Sequence, residues 1–222
     1  MWRDALLVAG KDIRIEWRSR VGTNQILPFA VLVLMLFAFA LGPGREVLAP
    51  ASSGLFWLAV LLTTLLAVQR SFSVESADGA GDGLKLSGMD PAGVFLGKAA
   101  AITVQLLVVE VVVGAGVVFL YRARLGDLAM VVIGALAGAI GLAAAGTVYG
   151  ALSVGLRVRE TLLPLLLLPV VVPVLLAGTK SWDAAISGHP SSGLPWMHLL
   201  AVFAVVYVTL GVLAYGALME AA

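Results

Sequence analysis

Six stretches of this chain run about 19 residues or longer with at most one formal charge: Val21 to Gly44, Val47 to Gln69, Ala99 to Tyr121, Leu128 to Leu156, Thr161 to Thr179 and Ala184 to Met219. Only Glu110 interrupts them. At 1.5 Å per residue, a helix needs ~20 residues to cross ~30 Å of hydrocarbon. Lipid offers the backbone no hydrogen-bond partners, so spanning segments of this length are helices. The reading is therefore an all-α membrane protein with six transmembrane helices in one domain, residues 1–222. Almost nothing remains for a soluble domain.

With 61% hydrophobic and 12% charged residues, the chain has too little polar surface to cover a soluble fold of its length. Its 25 glycines suit helices that pack backbone to backbone in lipid. The absence of cysteine excludes disulfides and thiolate metal sites within the chain. A net charge of +1 says little about soluble partners, and no nucleic-acid partner is expected.

The placement of the cations is more informative. If the first span runs outward, the inner segments hold Arg3, Lys11, Arg14, Arg18, Arg20, Arg70, Lys85, Lys98, Arg157 and Arg159. The outer segments hold only Arg45, Arg122, Arg124 and Lys180. Cytoplasmic loops collect Lys and Arg, so both termini are expected in the cytoplasm of a bacterial inner membrane.

Residues 1–20 carry mixed charge over too great a length for a signal-peptide n-region. At 100° per residue, Trp2, Leu6, Ala9, Ile13 and Trp17 form one narrow stripe, while Arg3, Lys11, Arg14 and Arg18 gather on another face. This pattern predicts an amphipathic helix along the cytoplasmic interface, with Trp2 and Trp17 at headgroup level and Arg14 and Arg18 toward anionic lipid.

Residues 70–98 form the longest cytoplasmic segment and carry Glu75, Asp78, Asp82, Lys85 and Asp90 among several glycines. Gly79, Gly81 and Gly83 argue for short helical turns joined by flexible backbone. The segment ends in Gly93, Gly97 and Lys98, superficially like a phosphate-binding loop. The glycines stand one residue too close, Ala99 replaces the required Ser or Thr, and no strand precedes them. Lys98 is expected to be a charge at the membrane boundary, and no catalytic residue is assigned. Any nucleotide hydrolysis must occur on a partner chain.

Within the spans, Gly134, Gly138, Gly146 and Gly150 recur at multiples of four and predict a tight helix contact, in this chain or with another copy. Pro164, Pro169 and Pro173 predict a kink or broken turn. Glu110 and Gln105 are the intramembrane polar candidates, and an ionised acid facing lipid costs ~2.5 kcal/mol or more. Glu110 must therefore face protein, with Gln105, Thr147 or Tyr149 as possible partners, or line a lateral cavity. His189 and His198, near the outer side, make a thin case for haem ligation, and no metal site is assigned. Trp182 and Trp196 are read as belt residues at the outer interface.

The runs Lys11 to Glu16, Phe29 to Leu32 and Leu36 to Pro43 resemble the opening of the cytochrome c maturation permease family CcmB, also called haem exporter protein B. Trp57 to Ala59, Arg70 to Phe72 with Glu75, Leu96 to Ala99 and Leu162 to Pro173 follow in the family's order and spacing. Gly88, where the family has proline, and Lys85 depart from its pattern.

The resemblance implies a non-catalytic membrane subunit of an ABC-type complex in c-type cytochrome biogenesis. Its expected partners are a separate ABC ATPase subunit that binds ATP, a haem-handling membrane subunit and a haem chaperone, released when loaded. No cofactor is assigned to this chain itself, and haem is handled by the complex. Six spans make half of a transmembrane unit, so a homodimer or a pairing with related subunits in the bilayer is expected. The ATPase-coupling candidates in the segment after span two are Arg70, Glu75 and Asp78. A permease for another solute would share this architecture. A secondary transporter would need midplane polar groups in inverted repeats, and Glu110 and Gln105 alone do not supply them.

Overall fold

The computed structural model describes residues 1–20, 22–42, 44–77, 88–123, 126–153 and 159–221. Among the described residues the secondary structure is helical, without strands. Helix α1 covers Trp2–Ser19, a π-helical turn Gly22–Ile26 leads into α2 at Leu27–Ala40, and α3 covers Arg45–Ala77. Four further helices follow: α4 Pro91–Tyr121, α5 Leu128–Ser153, α6 Arg159–Ile186 and α7 Pro190–Ala221. Among the described residues, five apolar segments can span a bilayer on length and composition: Val47–Val74, Pro91–Tyr121, Leu128–Ser153, Leu162–Ile186 and Pro190–Glu220. The expected first span is shorter in the structure, because α2 has 14 residues and is preceded by the π-helical turn.

The glycine ridge of α5 packs inside this chain. A Cβ at Gly138 would enter the Trp57 ring of α3, one at Gly146 would stand 2.5 Å from Val68 Cγ2, and one at Gly150 would strike Phe72. Opposite Gly138, Gly178 of α6 closes on the same indole. Trp57, 1% exposed, is thus held between two glycine backbones, the arrangement in which a missing side chain lets a large ring fill the core.

Trp182 is not at an interface. It is 3% exposed and stacks on Phe56 with ring centroids 3.8 Å apart, which corrects the reading of it as a belt residue. Its position near the end of an apolar run resembles a belt site, but its ring turns inward to the aromatic cluster. Trp196 is half-buried and packs against the core.

Helix α6 is unbroken through Pro164, Pro169 and Pro173, so no turn is lost at these positions. Of the segment 70–98, the described residues belong mostly to the two helices that flank it. Helix α3 runs through Arg70 to Ala77, and α4 starts at Pro91, with Asp90 capping it by accepting the Ala92 N–H at 3.1 Å. Gly79, Gly81, Gly83, Asp82 and Lys85 lie outside the described residues.

Candidate functional site

Helix α1 docks along the start of α4, and two glycines make this possible. A Cβ at Gly93 would stand 2.6 Å from the Met1 carbonyl oxygen, and one at Gly97 would stand 2.5 Å from the Ala5 carbonyl oxygen and 2.7 Å from Val8 Cβ. The obstacles are largely backbone, so no rotamer change would relieve them. Ala5 and Val8 are buried against this seat, whereas Trp2 and Trp17, 71% and 81% exposed, face away from the bundle. Arg14 and Arg18 are exposed as well. Gly93 and Gly97 are therefore a small-residue helix contact, with Lys98 beside it in the same turn.

Asp12 and Glu16 stand one turn apart on α1 and each pairs with side chains of the neighbouring helices. Lys98 is 0% exposed. Its Nζ lies 3.4 Å from Asp12 Oδ2 and 3.3 Å from Ser71 Oγ of α3, and 4.7 Å from the centre of the Phe72 ring. It is a buried charge joining three helices. Buried ammonium groups persist only when paired, and Asp12 supplies the pair. A turn further along, the Arg70 Nε donates to Glu16 Oε2 at 3.3 Å, and Gln105 Nε2 donates to Glu16 Oε1 at 3.4 Å.

At the start of α1, the Met1 amino group lies 3.2 Å from Asp4 and 3.3 Å from Asp90, and the Asp90 N–H donates to Asp4. The hydrogen bond to Asp4, and then that to Asp90, raises the pKa of the amine; the same amine holds the Asp4 carboxyl below its ordinary value.

Of the coupling candidates, Arg70 is thus tied to α1. Glu75 lies on the last turns of α3 with its side chain outside the described residues, and Asp78 lies outside them altogether. Gln105 belongs to the Glu16 cluster and makes no hydrogen bond to Glu110. Thr147 donates to the Ala143 carbonyl and Tyr149 faces Tyr207, so the three partners considered for Glu110 are engaged elsewhere. Glu110 is 5% exposed, and among the described residues neither carboxylate oxygen has a hydrogen-bond partner. The reading of Glu110 as protein-facing holds, while the expected interhelical hydrogen bond is absent among the described residues.

His189 sits in the turn before α7 and His198 in its third turn, both exposed. Among the described residues no three His, Cys, Asp or Glu side chains gather as a metal site.

The junction of α1 with α3 and α4 could have been found in part from the i, i+4 spacing of Asp12 and Glu16. Their partners lie 54 to 89 residues away and leave no local trace. Around Glu16 and Arg70 the helices enclose a cavity of about 570 Å³.

Residues 3–222 match the family model of the CcmB protein. Similar proteins include the "Heme exporter protein B" of Pseudomonas aeruginosa, 31% identical over 199 residues that cover 89% of each chain. That of Rhodobacter capsulatus is 32% identical over 77% of this chain and 78% of the relative, and that of Bradyrhizobium diazoefficiens 32% identical over 86% of both. With a match across nearly its whole length and five to six apolar helices of spanning character, the chain is a multi-pass membrane protein that belongs to the CcmB family.

Proposed function

We propose that this chain is the permease subunit of an ABC-type complex in c-type cytochrome biogenesis, in the cytoplasmic membrane of a bacterium with both termini inside. The observation that carries this reading is membership of the CcmB family across residues 3–222. ATP is hydrolysed on a separate ATPase subunit, and this chain transmits that cycle to a haem-handling membrane subunit, releasing the loaded haem chaperone. A second copy or a related subunit completes the transmembrane unit.

The geometry supplies a route for the coupling. Helix α3 has 33 residues, about 50 Å at helical rise, well beyond ~30 Å of hydrocarbon. This length is consistent with its last turns, from Arg70 to Ala77, reaching the cytoplasmic surface, where Glu75 and, next in sequence, Asp78 would meet a soluble partner. The Glu16–Arg70 contact ties those turns to α1, so a push on the end of α3 is passed to α1 and, through Lys98, to α4. Arg70 fixes the shape of the coupling end, while Glu75 and Asp78 meet the partner.

Deleting the chain in a bacterium that makes c-type cytochromes tests this reading. Apocytochrome should reach the outer side without covalent haem, and a plasmid copy should restore haem attachment. Undiminished haem attachment in the deletion strain would refute the assignment.

A further inference from the structure

The cavity of about 570 Å³ opens between α1, the π-helical turn, α2, α3 and α4, and its two ends differ in chemistry. Its floor is apolar, with Ile26, Ala67, Ile102 and Val109 each 2% exposed. On its rim Ile15, Val104 and Val108 are 37%, 43% and 49% exposed. From Leu27 an apolar groove continues along α2 past Val31 and Leu32 to Leu36, about 14 Å by helical rise.

The polar end is not neutral in what it offers. Glu16 is engaged by Arg70 and Gln105, and Asp12 by Lys98 and Lys11, so both acids that line the cavity are compensated. Arg20 and Asn24 also line it and have exposed side chains without a partner among the described residues. Arg20, at φ 53°, ends α1 in the left-handed conformation.

We propose that this cavity binds one anionic phospholipid, its phosphate against Arg20 and Asn24 and the upper part of one acyl chain between Val104, Val108 and α2. A guanidinium and an amide lining the same cavity supply the donors a phosphodiester needs. The apolar wall is exposed where the helix bundle would meet hydrocarbon, so a ligand with one charged and one apolar end fits both halves. A volume of about 570 Å³ falls in the usual range of small-molecule sites, ~300–1,000 Å³. It accommodates a headgroup and part of a chain, the remainder running along the α2 groove.

Native mass spectrometry of the assembled complex, released from nanodiscs of phosphatidylcholine with a minor share of phosphatidylglycerol, reads this directly. The expected result is one phosphatidylglycerol retained per copy of this chain. Arg20→Gln, which removes an exposed side chain and leaves the core intact, should lower retention about tenfold, the loss of one charge-assisted contact. Val108→Trp, which fills the apolar end, should lower it similarly, and Arg122→Gln, at the far end of α4, should not. Equal retention of phosphatidylcholine, retention insensitive to both cavity variants, or an equal loss in Arg122→Gln would overturn the proposal. So would haem retained in place of lipid, or a disulfide between two copies carrying Val104→Cys, which would place a second chain over the opening.

Discussion

The Lys98 ammonium of α4, wholly enclosed, lies 3.4 Å from the Asp12 carboxylate of α1. Removing one member of a buried pair leaves the other charge uncompensated, a loss of about 3–5 kcal/mol, whereas replacing both by apolar groups is often close to neutral. Asp12→Ala alone should therefore lower the thermal midpoint of the purified protein by several degrees, and Asp12→Ala with Lys98→Met should recover most of it. A double variant no more stable than the single would show that Lys98 is held by something other than this pair.

Gly97 is the position where α1 has no room to yield. Gly97→Leu should lift α1 from α4 and loosen its helical backbone enough for trypsin to cleave after Lys11 and Arg14 in inverted membrane vesicles, with overpacking costing about 1–3 kcal/mol. Gly10→Leu, where a Cβ would meet nothing within 4 Å, is the matched control and should keep the protected pattern. Equal protection in both variants would mean that α1 does not depend on this seat.

Because the chain contains no cysteine, single cysteines can be introduced without background. Ser191→Cys, at the start of α7, should react with a membrane-impermeant maleimide added to intact cells, and Ser73→Cys, exposed on α3, only after the membrane is opened. The reverse pattern would invert the topology inferred from the distribution of Lys and Arg.

Glu110 keeps a buried carboxyl without a hydrogen-bond partner among the described residues, which costs about 1–3 kcal/mol for a polar group left unsatisfied. Glu110→Leu should raise thermal stability, and Glu110→Gln should assemble normally and sustain c-type haem attachment. A Leu variant of lower stability would reveal a partner supplied by another subunit. Loss of haem attachment in a fully assembled Gln variant would give the carboxyl a role in the transport cycle.

The spans were legible because their signal is length and hydropathy, both additive along the chain. Small-residue ridges were legible as contacts, yet not in their partners: the ridge of α5 meets Trp57, Val68 and Phe72, all more than sixty residues earlier. Gly93 and Gly97 illustrate the same limit, since glycines four apart can mark a phosphate loop or a helix seat and only the opposing backbone decides. Trp182 misled because an indole near the end of an apolar run is a belt residue or a core residue according to which way the helix faces. The pairs Asp12–Lys98 and Glu16–Arg70 depend on how helices distant in sequence converge, which local periodicity does not encode.

The coupling role of the α3 end is tested most directly by Glu75→Arg, read as ATP hydrolysis by the purified complex and as covalent haem on a c-type cytochrome in cells. With the complex assembled at the parental level, the account predicts that both ATP stimulation and haem attachment fall together. Parental values of both in that variant would contradict it.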